Sequence, residues 1–197
     1  AGVGAGEGAV SDAAIDGTVR KWLHKWILGL ALCPWAVGVM GDEALRIAVV
    51  RGEGGQVGGQ VGRMRQAFVD EAKLLINSDE LQTTLVVLPG LVDFEDFLAL
   101  VASLERTLER RGLDGQIQLA SFHPQYQFAG TQPDDVSNYT NRSPYAVVHL
   151  LRVPAVTEAI EQVGGDTRFV YLDNIKRLNS MGIEAARKLQ ADIYNEV

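Results

Sequence analysis

The sequence predicts an α/β fold, a layered sandwich with a mixed, mostly parallel sheet of about four strands packed against helices. Three observations point there. Segments with apolar residues at helical spacing alternate with short apolar runs of strand length. One run, Thr83–Leu88 (TTLVVL), is nearly continuous, as in a central strand covered on both faces. The first three strand segments are joined through helices and are expected to run parallel, whereas the fourth follows a long loop and is expected to return antiparallel.

Ser11 or Asp12 can cap a first helix. In it Val19, Trp22, Leu23, Trp26, Ile27 and Leu30 form an apolar face, and Lys21, His24 and Lys25 project from the other side. Cys33-Pro34 is expected to end or kink this helix, because the residue before a proline avoids the helical region. Residues 45–50 (LRIAVV) read as a strand. A glycine-rich stretch, residues 52–62, leads to a helix over 63–77 with Met64, Phe68, Ala72 and Leu75 inward. Pro89-Gly90 stops the central strand. Phe94–Arg111 reads as a helix with Phe94, Phe97, Leu98, Val101, Leu104 and Leu108 on one face. Gly112 ends it after arginines that suit its C-terminal dipole. Residues 116–123 read as the third strand and 145–152 as the fourth. A helix over 154–162 is broken by Gly164-Gly165. Residues 169–172 read as extended, 174–181 as a turn or short helix, and 183–194 as a last helix.

The chain has 197 residues, with 18 Lys+Arg against 25 Asp+Glu and a formal charge of −7. A single globular domain over 11–197 is expected, after a flexible Gly/Ala-rich end over 1–10. One Cys excludes a disulfide framework and any Cys₂ or Cys₄ zinc module, and three His exclude a histidine-rich array. The acidic balance argues against nucleic acid as a partner. Residues 26–41 are free of charge but number only 16, against the ~20 needed to span a bilayer. Pro34 also interrupts them, so no transmembrane span is expected. The first residue is not Met. The expected location is the cytoplasm, or an organelle matrix or stroma after removal of a targeting peptide. The glycine-rich stretch lacks G-x-G-x-x-G and a Gly-Lys-Ser/Thr ending, which excludes a P-loop. It reads as a surface connection, with anion cradling as the alternative.

Residues 124–144 form a 21-residue segment without clear secondary structure. Loops that long inside compact domains are usually functional or disordered. This one carries Tyr126, Phe128 and Tyr139, which pack, beside Gln127, Asp134, Asp135, Asn138, Asn141 and Arg142. Such a density of fixed hydrogen-bonding groups suggests a rigid polar network lining a cleft, or else a structural lid. His123 stands at the end of the third strand, where ligands of open α/β sheets gather. His149 lies within the fourth strand. If those strands pair antiparallel, both histidines are candidates for one face. Arg142 and Arg152 are natural anion partners, and they can equally pair with Asp134, Asp135 or Glu71.

The string ASFHPQYQFAG (residues 120–130), followed by NYTNRSPY (138–145) and HLLR (149–152), resembles a bacterial family catalogued as domain of unknown function 1415. Leu32-Cys33-Pro34-Trp35 after a tryptophan-rich helix is similar to the family's L-C-P-F/W. Residues 83–89 resemble its central strand, and Asn174, Ile175 and Leu178 its N-I-x-x-L. The resemblance covers residues 22–182. It implies a soluble single-domain protein and carries no established activity. The chain departs from the pattern in two places. Arg152-Val153-Pro154 lacks an acidic residue after the arginine, and the glycine-rich stretch looks like an insertion of a specialised or organellar relative.

Three functional readings follow from these residues, beside small-molecule binding without turnover. The first is an enzyme acting on a small anionic molecule in a cleft lined by the 123–144 loop, with no cofactor specified. There His123 is the general acid/base, Cys33 a nucleophile or bystander, and Asp135 or Asp134 fixes the histidine tautomer. Tyr126, Asn138, Asn141, Arg142 and Arg152 bind substrate. The second is a metal site of His123, His149 and a carboxylate such as Glu71 or Asp135, suited to zinc or non-haem iron. The third is a non-catalytic accessory subunit of a larger assembly, docking a protein partner through residues 26–41 or the glycine-rich loop.

Overall fold

A computed structural model describes residues 10–34, 36–39, 41, 43–52, 57–162, 164–166 and 168–195. The end at 1–9, Trp35 and residues 53–56 of the glycine-rich stretch lie outside the described residues.

Helix α1 (Asp12–Trp22) starts where Ser11 accepts a hydrogen bond from the Ala14 amide at 3.2 Å. Its apolar stripe then continues as a π-helical segment, Leu23–Leu28. Ile15, Val19, Trp22, Leu23, Trp26 and Ile27 are all buried. The helix stops before Cys33-Pro34, earlier than the sequence suggests. At Gly29 a β-carbon would meet the Lys25 carbonyl oxygen at 2.4 Å, so only glycine fits. Ala31 then turns the chain at φ +47.

The sheet contains β1 (Leu45–Val49), β2 (Thr83–Leu88), β3 (Ile117–Phe122) and β4 (Ala146–Arg152), in the order β1-β2-β4-β3. Strand β1 pairs parallel with β2, and β4 pairs antiparallel with both β2 and β3. The first three strands thus run in one direction, as expected. The sheet is mixed but not mostly parallel, because β4 inserts between β2 and β3 and makes two of the three pairings antiparallel.

Side chains alternate across β2 and β4 and feed two cores. On one side, Leu85, Val87 and Val147 pack with α1, the π-helical segment and two C-terminal helices, α5 (Arg168–Met181) and α6 (Ile183–Asn195). On the other, Val86, Leu88, Val148 and Leu150 pack with α2 (Val57–Asn77) and α3 (Phe94–Arg111). Asp93 caps α3, and Gly112 ends it at φ +64. The remaining helix, α4 (Val153–Gln162), follows β4 directly.

Two local readings are corrected. Helix α2 begins at Val57, so the second half of the glycine-rich stretch is helical. The amphipathic helix behind it propagates through Gly58, Gly59 and Gly62, although each glycine costs about 1 kcal/mol against alanine. Residues 169–172 are helical within α5, because buried Leu178 and the packing against α6 override the strand preference of the Phe-Val-Tyr run. Among the described residues no helix is long and apolar enough to cross a membrane.

Candidate functional site

The long loop is ordered from within. A short 3₁₀ turn, Val136–Thr140, starts at Asp135, whose carboxylate accepts from the Ser137 amide at 2.9 Å. The Ser137 hydrogen bonds hold that carboxyl below its ordinary pKa. Asn138 is fully buried. Its Oδ1 accepts from the Phe128 amide (2.9 Å) and the Thr131 hydroxyl (2.8 Å), and its Nδ2 donates to the Gln132 carbonyl at 2.8 Å. Asn141 ties the loop to β3. Its Nδ2 donates to the Ser121 carbonyl at 3.0 Å, and its own carbonyl accepts from the His123 amide at 3.1 Å. The Arg142 guanidinium donates to the Tyr126 and Pro133 carbonyls at 3.2 and 2.7 Å and lies 4.3 Å from the Tyr139 ring centroid.

The loop is also held from outside, by residues that sequence reasoning treated only as core. The Trp22 indole N–H donates to the Arg142 carbonyl at 3.0 Å, and that of Trp26 to the Tyr139 carbonyl at 2.9 Å. Two tryptophans four apart on one helical face thus meet carbonyls three apart in the loop. Tryptophans at helical spacing were a visible signal, but their partners lie more than a hundred residues away.

His123 is completely buried between Phe94 and Phe97, with ring centroids 5.2 and 5.1 Å apart. Its Nδ1 accepts from the Gln125 amide at 3.1 Å, so the proton sits on Nε2 and is directed at the Leu91 carbonyl, 3.3 Å away. Desolvation lowers its pKa, opposed by that carbonyl and by the Asp93 charge. Its two partners, Leu91 and Gln125, line a cleft of about 240 Å³ at the carboxyl ends of β2 and β3. Pro89, Leu91 and Val92 follow β2, Pro124 and Gln125 follow β3, and Pro144 and Tyr145 precede β4. Among the described residues no charged side chain lines it.

The other candidates lie elsewhere. His149 stands opposite Ala120 and Leu85 in the sheet, near the Phe122 ring at 6.3 Å. Strands β3 and β4 do pair antiparallel, yet His123 is one residue beyond Phe122 and so turns to the opposite layer. The Thr83 hydroxyl gives its proton to the Leu150 carbonyl at 2.9 Å. The His149 Nε2, 2.5 Å from that hydroxyl oxygen, must therefore be the donor to it. Desolvation pushes the His149 pKa down to about 4. Glu71 holds Arg46 in a bidentate pair at 2.6 and 2.8 Å, which raises the arginine pKa. His123, His149 and Glu71 do not converge. Among the described residues no group of three or more His, Cys, Asp or Glu is placed to hold a metal.

Cys33 packs against the α1 side of the sheet, away from His123. Arg152 turns its guanidinium to the carbonyls of Leu75, Ser78 and Leu81 at and beyond the end of α2. Asp134 is exposed, and neither it nor Asp135 is among the groups that bond or shift His123. Tyr126 packs between Phe94 and Phe128, at centroid distances of 5.4 and 5.1 Å.

A family model described as a protein of unknown function, DUF1415, matches residues 14–188. No curated protein and no solved structure matches the chain.

Proposed function

The chain belongs to the DUF1415 family of proteins of unknown function, and from that premise we propose that it is a binding protein, taking a compact, uncharged group into the cleft beside His123. One observation carries this reading. The cleft lies at the ligand-gathering edge of the sheet, and His123 behind it has both ring nitrogens engaged with main chain. That imidazole braces the two walls through Leu91 and Gln125 and has no lone pair left for proton transfer. At about 240 Å³ the cleft falls below the ~300 Å³ at which drug-sized pockets begin, which favours one ring or branched side chain as the occupant. Val92, 71% exposed, offers apolar surface at its rim.

The reading of an enzyme acting on a small anion has weaker support. Cys33 and His149 lie across the sheet from His123, and the donors of Arg142 that face the loop are engaged with carbonyls. Amide chemical shifts of the full chain, titrated with indole and separately with benzoate, test the proposal. Indole is expected to move the amides of Leu91, Gln125 and Tyr145, with several-fold weaker binding in Tyr145→Ala. Stronger binding of benzoate, or no shift from either probe, would overturn it.

A further inference from the structure

Independently of the cleft, we infer that β1 is the interface for a second copy of this chain, joined edge to edge in one continuous sheet. Strand β1 is an outer strand. The Ala44 carbonyl accepts from the Thr83 amide at 3.1 Å, and the Val50 amide donates to the Val87 carbonyl at 2.8 Å. In a parallel ladder alternate residues face the neighbour. Ala44, Arg46, Ala48 and Val50 therefore bond inward, and Leu45, Ile47 and Val49 turn their main chain outward. The Leu45 amide is taken by the Gly41 carbonyl at 3.0 Å. The amides and carbonyls of Ile47 and Val49 have no partner among the described residues.

An open groove of about 380 Å³ runs beside them, between Asp12 and Asp16 of α1 and Glu71 of α2. The strand carries neither proline nor lysine, and its one charged side chain, Arg46, is held by Glu71. The opposite edge is treated differently, since the Ser121 carbonyl of β3 is covered by the Asn141 amide.

Charge selects the occupant. Each carboxylate in the groove is paired within the chain: Asp12 with Arg51 at 2.7 Å, Asp16 with Arg20 at 2.8 Å, and Glu71 with Arg46 at 2.6 Å. The groove is thus locally neutral on a chain of charge −7. It neither selects a charged peptide nor repels an identical surface. A two-fold axis at Ile47 pairs β1 with itself antiparallel. Ile47 then exchanges both main-chain bonds with its own copy, and the Val49 amide reaches the partner's Leu45 carbonyl. Leu45 faces Val49 and Arg46 faces Ala48, so apolar side chains of the α1 layer meet apolar side chains.

Sedimentation of the full chain over a range of concentrations, with hydrogen exchange at Ile47 and Val49, tests this. A dimer is expected whose Ile47 and Val49 amides become protected as concentration rises. Ile47→Pro removes an outward amide and no bond to β2, a place where an edge strand tolerates proline, and is expected to sediment as a monomer. Wild-type exchange gives the answer without the variant should Ile47→Pro fail to fold. A monomer at every concentration, or a dimer whose Ile47 and Val49 amides exchange freely, would overturn the inference.

Discussion

The indole N–H of Trp26 reaches the carbonyl of Tyr139 at 2.9 Å, joining the first helical layer to the middle of the long loop. Both groups are buried. Trp26→Phe keeps a large apolar ring and leaves the carbonyl only the long bond from the Arg142 amide, 3.4 Å. A loss of about 1–3 kcal/mol in urea unfolding is expected. Hydrogen exchange in residues 136–142 should accelerate more than exchange in the sheet. A uniform change across the chain would mean the bond does not act on the loop in particular.

Asn138 uses its amide on three loop partners and is fully buried. Asn138→Ala leaves the half-buried Phe128 amide, the Thr131 hydroxyl and the Gln132 carbonyl without that partner, and a loss of roughly 2–4 kcal/mol is expected. If Asn138 served a substrate instead, stability would survive and only binding would fall. Thermal unfolding separates the two.

Arg152 presents a fork to carbonyls at the end of α2. Lysine keeps the charge but not the planar donor set, so Arg152→Lys is expected to lose about 1–2 kcal/mol. Unchanged stability in urea would show that the fork is dispensable and return Arg152 to the anion-binding candidates.

The His149 pKa, held near 4 against an ordinary 6.5, makes stability depend on acid in a defined direction. The unfolded chain takes up the proton first. The contribution is present in full above about pH 6.5, declines as pH falls, and levels off below about pH 4, with a size of up to about 3 kcal/mol. His123, also lowered, adds in the same sense. His149→Leu leaves Thr83 bonded to the Leu150 carbonyl and is expected to give a shallower acid limb in urea titrations from pH 7 to 4. An unchanged slope would exclude His149 as the source.

Because His123, His149 and Glu71 point to different places, dialysis against a strong chelator is expected to leave the melting temperature of the protein as purified unchanged. A reproducible fall, reversed by zinc or ferrous iron, would revive the metal reading.

Local features were legible where local chemistry decides. Phe94–Arg111 carries an apolar stripe and terminal arginines, with Gly112 after them, and the helix matches them. The unbroken apolar run of β2 marked it as central. Non-local choices were not legible. Nothing in Ala146–Arg152 specifies that it slots between β2 and β3, and that placement alone makes two of the three pairings of the mixed sheet antiparallel. The two histidines were separated by a single step in strand phase, which periodicity cannot resolve at a strand end. The main-chain partners of Asn138, Arg142 and Arg152 were not legible, for a shared reason. Polar side chains rich in donors suit ligands and main-chain carbonyls equally, and only the fold shows which carbonyls lie within reach.

The insertion of β4 also orders the birth of the molecule. A ribosome delivers β1, β2 and β3 first, yet β2 and β3 have no shared neighbour until residues 146–152 emerge. Any nascent chain shorter than that carries two open strand edges that only its own unfinished portion can close. The keystone of the sheet follows its three other strands along the chain, so the sheet closes only after all of them are made, through contacts distant in sequence.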